Sequence, residues 1–579
     1  MTKIDPILVT VLERKLQSIA REMGLTLLHT TRSPVFNEAK DFATGLFDAQ
    51  GRVLEQHLYI PLLALVLKPA CEHIIKYFGD DIHPGDVILH NDVFYGGNQY
   101  SDVGAFKPIF FGDKLIGWSA SKGHQADIGG PVAGGVNPRA TEAWQEALRI
   151  TPVKLFDRGE FRRDVWDLIF ANIRFPFVAD DVRAEMGAAV VGERGLHALA
   201  ERYGVDVFQA HVEHLFDSTE RVMRKEIRSI PSGRYRGEAT IYDDGLNPDA
   251  RCRVSLTVIV EGDEITFDFT GTDPQTPAFV NAPYAASFSA TLLAFMMCID
   301  PSISLNEGML RPVHLVIPEG SVLNASFPAA TTYGNHFADP IAECVFKALA
   351  PAIPERVSAG WNRLLGTAVT GWDPRKRRHY HDVLFLCNKG GSGGTYGADG
   401  WDHIGTIEAC GSILSQDYEM FELHDPHFLL KHEYQPDSAG AGQWRGGLGI
   451  EGEFVFEGDD ALAAVYGDGV VEGAFGLFGG KPGSRNWVQL VSPDGTVYQG
   501  KSKELVKPIA RGSIWRKEAG GGGGFGDPFL RPVAKVLKDI KNETLSIEKA
   551  RDDYGVVLDP RTGAVDAEAT ARLRSRKEK

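Results

Sequence analysis

Apolar residues recur at helical spacing from the start of the chain. Ile7, Leu8, Val11, Leu12, Leu16, Ile19 and Met23 share one face of a predicted helix. Asp5 is its expected N-cap and Pro6 its first residue, where a missing N–H costs nothing. The helix should end near Ser33-Pro34, because a residue before proline is pushed out of the α region. Short strand-like runs follow. Gly45–Asp48 and Arg52–Leu54 pair through Ala49-Gln50-Gly51, Pro84-Gly85-Asp86 turns into Val87–Leu89, and Lys107–Phe111 with Lys114–Ser119 make a hairpin around Gly112-Asp113. Asp164 to Arg228 returns to helical spacing. At Pro231-Ser232-Gly233 the pattern changes to alternation, and Arg251–Val260 and Glu264–Phe269 form a predicted hairpin. Ala285–Cys298 and Ala338–Leu349 read as helices, Gly446 to Gln499 as glycine-rich strands, and Val533 to Arg551 as a charged helical tail. The pattern predicts a multidomain chain of mixed α and β type (α+β), with β-rich domains carrying packed helices after the N-terminal one. The expected segments are 1–230, a central α/β domain 231–435, a glycine-rich β domain 436–530 and a helical tail 531–579.

Composition narrows what such a fold does. The 579 residues are 43% hydrophobic and 24% charged, ordinary for a globular protein. A net charge of −16 argues against a nucleic-acid or anionic-membrane partner, since either needs a basic surface. The apolar stretches Ile60–Leu67 and Thr291–Ile299 fall well short of the roughly 20 residues a spanning helix requires. Met1-Thr-Lys-Ile-Asp-Pro6 shows no charged region followed by an apolar one, so no secretory leader is expected. The six cysteines occur singly, without a CxxC pair, which speaks against a thiolate zinc site or a disulfide framework and for a reducing, cytoplasmic setting.

Ligand-capable residues are densest in the first 130 positions: Glu38, Asp41, Asp48, His57, His83, His90, Asp92, Asp102, His124 and Asp127. Three glycine-associated pieces stand out, Asn37–Phe42, Asn91–Asp102 and Gly123–Gly130, all read as loops. Imidazoles and carboxylates suit a divalent ion, which makes 1–230 a candidate metal-site domain. The same residue types also build turns that bond their own backbone, so the spacing alone leaves both readings open. Nucleotide chemistry has little support. No GxxxxGK[ST] occurs, and Gly520–Gly524 is read as a glycine-rich surface loop in preference to a phosphate cradle. Cys410 reads as a small packed residue. Arg375–Arg378 reads as a solvated turn.

Motifs spread over more than 400 residues resemble those of the B-type subunits of bacterial hydantoinases and 5-oxoprolinases, and of the related caprolactamase and acetone and acetophenone carboxylase subunits. They are Pro84–Asp92, Ala126–Gly130, Asn306–Val313 with Pro318–Gly320, Pro436–Gly442 with Arg445–Gly449, Gly521–Pro528 and Tyr554–Val557. The resemblance implies an A-type partner that binds ATP with Mg, in a hetero-oligomer such as (αβ)2, and phosphorylation of a substrate carbonyl oxygen. Lactam members then hydrolyse the activated amide, whereas ketone members carboxylate the activated enol. It also implies a metal site, with zinc or manganese expected, at Asp41, Gln99, Asp102 and His124. Catalytic roles for His124 and Asp127 go with it, Asp127 either supporting a metal ligand or acting as a base.

Gln99 departs from the family pattern, which has a histidine there, and an amide oxygen is the poorer ligand. Tyr59 and Leu63 likewise stand where relatives tend to show histidines. A weaker or different metal, a site redesigned for an unusual substrate and a subunit that has lost its metal all follow from these changes. The expected activity is ATP-dependent opening of a cyclic amide of hydantoin, lactam or oxoproline type. The alternatives are ketone carboxylation, which the more apolar lining favours, and a non-catalytic structural subunit.

Overall fold

The structure, a computed structural model, describes residues 4–559 and 561–575. The chain divides into two compact units, one of residues 1–352 and 408–415, the other of 353–407 and 416–579. This is a coarser division than the four segments read from the sequence.

Unit 1 begins with the helix Pro6–Thr30. Asp5 caps it by accepting from the Ile7 N–H at 2.9 Å, and Leu12, Leu16, Met23 and Leu27 are buried. Such a cap contributes about 1 kcal/mol. Ser33 then caps a four-residue helix, Pro34–Asn37, so the stop expected at Ser33-Pro34 is also a restart. The helices Phe177–Tyr203 and Val205–Arg228 fill the predicted helical stretch, and their apolar faces share a core with the N-terminal helix through Leu196, Phe208, Val212 and Phe216.

The seven-stranded sheet of this unit runs in the order Val53–His57, Phe42–Asp48, Lys114–His124, Asp102–Phe111, Val87–His90, Val153–Asp157, Glu160–Phe161, with antiparallel pairing throughout. Both strands of its central hairpin are longer than the pattern suggested. They extend to Asp102 and His124, into stretches read as loops. The reason is burial on both faces: Val103–Ile109 and Ile116–Gly123 are buried throughout, including Ser119, Ser121 and Lys122, so no alternation marks the strand. A second sheet, Val313–Val316, Glu264–Asp268, Arg251–Glu261, Gly233–Tyr242, contains the predicted hairpin, and its first two strands run parallel. The helices Tyr284–Met296 and Ala338–Leu349 are almost wholly buried.

Unit 2 holds a four-stranded sheet (Arg378–Val383, Leu365–Asp373, Asp459–Gly467, Glu504–Ile509) and a five-stranded one (His427–Tyr434, Ile450–Phe456, Ile514–Ala519, Trp487–Val491, Val497–Gln499). The glycine run corrects the sequence reading. Gly520–Gly524 is buried, not a surface loop. Its five N–H groups bond to Asn486 Oδ1, Ser484 Oγ and the carbonyls of Gly447, Gly360 and Lys481, which leaves none to cradle a phosphate. The neighbouring backbones lie so close that a Cβ on Gly522 would sit 1.8 Å from the Ser392 carbonyl oxygen. Glycine is required here by backbone-to-backbone packing. The tail is not peripheral either. Val533–Lys541 and Ile547–Tyr554 pack around Val536, Ala550 and Tyr554, and Arg531, 1% exposed, pairs with Asp399 and Asp539.

Candidate active site

Strand register assembles the site. Asp102 and His124 are direct partners across the central hairpin. On the other side of the same strand Phe42 partners Gly123, and the His124 N–H donates to the Asp41 carbonyl at 3.0 Å. Three adjacent strands therefore end with Asp41, His124 and Asp102 side by side, at a strand spacing of about 4.8 Å. Lys40 takes a left-handed backbone (φ 61°) immediately before Asp41 and turns the chain out of the preceding helix into the strand.

A dense network closes around Asp102, which has no exposed surface. One carboxylate oxygen accepts from His124 Nδ1 at 2.7 Å, and the other accepts from Asn335 Nδ2 at 3.0 Å and from Asn98 Nδ2. Gln99 is held by the same group: its oxygen accepts from Asn335 Nδ2 at 2.9 Å and its nitrogen donates to the Thr332 carbonyl at 3.1 Å. The segment carrying Thr332 and Asn335 is anchored in turn by Glu146, whose buried carboxylate accepts the N–H groups of Thr331 and Thr332 at 2.7–2.9 Å.

The charges in this pocket do not balance easily. Burial pushes the Asp102 carboxyl up, but the His124 bond and charge, with Lys122 and Asn335, hold it below the usual range. Burial works against the His124 imidazolium, which the Asp102 bond and the charges of Asp102 and Asp41 raise overall. Asp41 accepts no side-chain hydrogen bond among the described residues, and burial, reinforced by Asp102 and opposed by His124, lifts it to about 7. Glu408 is driven well upward by burial and then by Asp339, Asp41 and Asp102, and it lies 3.7 Å from His336 Nδ1. Lys122, fully buried, is pushed down to about 8 by burial against the pull of Asp102 and Glu185.

The other sequence candidates separate from this cluster. Asp127 is buried and fully engaged: it accepts from the Arg174 N–H at 2.9 Å, the Arg174 guanidinium at 3.0 Å, and the N–H groups of Gly129 and Gly134 at 3.3 and 3.2 Å. A carboxylate so engaged anchors its loop. Asp48 organises the turn to Arg52, and Asp92 caps Val93–Tyr95 and pairs with Arg149. Tyr59 packs its ring against Phe42 at 4.3 Å and His57 at 4.6 Å, and Leu63 is buried, so both positions are apolar packing. Asn98 falls within the Asn91–Asp102 piece, whereas Asn335, His336 and Glu408 do not stand out in the sequence. Asn335 and Glu408 lie more than 230 residues from Asp102, and no local spacing links them to it.

The family model described as hydantoinase B/oxoprolinase matches residues 5–528. The chain belongs to that family. Among its relatives is the beta chain of the caprolactamase of Pseudomonas jessenii, 36% identical over 584 residues that cover 98% of this chain and 99% of the relative. The crystal structure of the ATP-dependent caprolactamase from that organism matches with a TM-score of 0.93 at 35% identity, covering 99% of this chain and all of the other. The B-type subunit of a putative D-/L-hydantoinase from Pseudomonas sp. (strain NS671) is 32% identical, covering 99% and 98% of the two chains. A nucleotide-free acetone carboxylase structure shares the fold, with a TM-score of 0.91 at 20% identity over 99% of this chain and 83% of that one. The matched residues include the motifs from Pro84 to Pro528. Among the described residues, no helix is long and apolar enough to cross a membrane.

Proposed function

We propose that this chain is the B-type subunit of an ATP-dependent amidohydrolase that opens a cyclic amide together with an ATP-binding A-type subunit. The observation that carries the reading is end-to-end correspondence with the caprolactamase beta chain in both sequence and structure. An unstrained cyclic amide resists hydrolysis, which gives a physical reason to couple ring opening to ATP. A hetero-oligomer such as (αβ)2 follows from a subunit of this type. Six cysteines that all remain thiols support a cytoplasmic setting.

The pocket suits a divalent cation, and we place one at Asp41, Asp102 and His124, with the Gln99 amide as a weak fourth donor. Among the described residues no three His, Cys, Asp or Glu side chains form a ready cage. The proposal rests on charge: the buried carboxylates Asp41 and Glu408 are raised by burial and by the neighbouring Asp102, a repulsion that a cation would relieve. One imidazole among oxygen donors favours manganese over zinc. Such an ion, when bound, polarises a carbonyl or lowers the pKa of water. This chain's residues supply the rest. His124 is oriented by Asp102, and Asp102 by Asn98 and Asn335.

The test is the co-purified complex assayed for ATP turnover against lactams, hydantoins and ketones, with and without bicarbonate. Ring opening independent of bicarbonate supports the reading. Labelled carbon from bicarbonate appearing in an acid product would establish ketone carboxylation, the second reading, which the apolar Tyr59 and Leu63 favour. ATP turnover unaffected by Asp102→Ala would leave a structural subunit.

A further inference from the structure

A cavity of about 430 Å³ opens in unit 1, and its lining includes none of Asp41, Gln99, Asp102 or His124. That volume lies within the usual range for small-molecule sites. Phe94, Tyr95, Tyr284, Phe327 and His73 present rings to it, between walls formed by proline and valine. Tyr95 stacks on His73 with centroids 4.6 Å apart, and Phe94 meets Phe327 edge-on at 5.3 Å, so these rings hold one another in place. Tyr95, Tyr284 and Phe327 nevertheless remain 45%, 42% and 46% exposed. A preorganised set of exposed rings around a cavity is the mark of a binding site more than of a core.

The charge of the lining gives the class of ligand. Glu319 is the ionisable acid in it, and neither lysine nor arginine contributes. Arg149 lies over the Phe327 ring at 4.8 Å, but its charge is matched by Asp92 at 3.0 Å. Burial first and Lys76 second lower the pKa of the His73 imidazole, which works against a positive charge there. Aromatic faces and a carboxylate favour a cation that brings apolar surface. An anion would meet Glu319 and the negative ring faces. A neutral ligand would leave that potential unused.

We propose that this cavity binds an organic ammonium ion, a protonated amine with an apolar body. The site does not depend on which reaction the complex performs. The test is calorimetric titration of the full chain with n-hexylammonium, 1-hexanol and hexanoate at low salt. The expected result is saturable 1:1 binding of n-hexylammonium, at least tenfold tighter than 1-hexanol, with hexanoate weakest. Glu319→Gln should weaken n-hexylammonium at least fivefold, and Tyr284→Leu should weaken it similarly. Glu319 is exposed, so its variant tests charge without risk to folding, and circular dichroism checks both proteins. If Tyr284→Leu misfolds, Glu319→Gln alone decides. Absence of n-hexylammonium binding, equal binding of 1-hexanol, or an affinity unchanged in Glu319→Gln would overturn the assignment.

Discussion

Glu146 is the residue through which pH should act most directly on the architecture of the site. Its carboxylate is fully buried and accepts the N–H groups of Thr331 and Thr332, and it thereby fixes the segment that delivers Asn335 to Asp102. Burial raises its pKa from 4.5 to about 7, against the lowering effect of those hydrogen bonds. Below pH 4.5 the group is protonated in the folded and unfolded states alike and contributes no pH dependence. Between 4.5 and 7 the folded state keeps a proton that the unfolded state has released, so stability falls as pH rises. Above 7 the full penalty is present, about 3 kcal/mol at roughly 1.36 kcal/mol per pH unit.

Glu146→Gln removes that titration while keeping one carbonyl oxygen for the two N–H donors. At about pH 5 the variant should be equal to the parent or slightly less stable, because one acceptor is replaced by a donor. By about pH 8 the difference should have moved in the variant's favour by up to about 3 kcal/mol, a few degrees in melting temperature for a unit of this size. Calorimetric melts of both proteins at intervals of one pH unit across that range measure the change, and the difference between the two curves isolates this group from every other titration. Parallel curves across the range would refute the reasoning. So would a difference that grew in the parent's favour, which would mean that the bonds to Thr331 and Thr332 outweigh burial and hold the carboxylate ionised.

Three further outcomes follow from the same structure. Gly522→Ala should cost unit 2 about 3 kcal/mol or more, since its Cβ meets the Ser392 carbonyl oxygen at 1.8 Å and backbone there cannot swing aside; soluble yield and melting temperature check it. Asn335→Ala removes donors to both Asp102 and Gln99 and should lower activity of the complex about tenfold with little change in melting temperature, measured by steady-state kinetics and calorimetry. Gln99→His supplies an imidazole to an oxygen-rich pocket and should raise zinc affinity at least tenfold relative to manganese, read by metal analysis after dialysis against both ions.

What could be read in the sequence follows from the range of the forces involved. The Asp5 cap, the Ser33-Pro34 break, the hairpin turns and the helix Ala338–Leu349 depend on residues a few positions apart, and the chain states them directly. Asp41, Asp102 and His124 could be listed as candidates, but what brings them together is register across three strands whose ends carried no alternation, because both faces are buried. The same feature hid the strands and made the site look like loops. Asn335 and Glu408 reach Asp102 and Asp41 by tertiary folding alone, and no spacing signals it. Asp127 shows the opposite case. Beside glycines it looked chemically available, and only Arg174, 47 residues later, reveals that its carboxylate is engaged. The glycine run misled for a related reason. Glycine marks a surface turn or a close backbone approach equally well, and Gly520–Gly524 is the latter, with its partners contributed by segments as distant as Gly360 and Lys481. Gln99 joins the two halves of the problem. In the sequence it is a missing ligand, whereas in the fold its amide is already bonded on both sides, to Asn335 and Thr332. A metal-bound histidine at this position would give up the bond from Asn335, so Gln99 and the asparagine network around Asp102 act as one unit. Introducing an imidazole at position 99 alone should therefore disturb the geometry around Asp102 as well as shift metal preference.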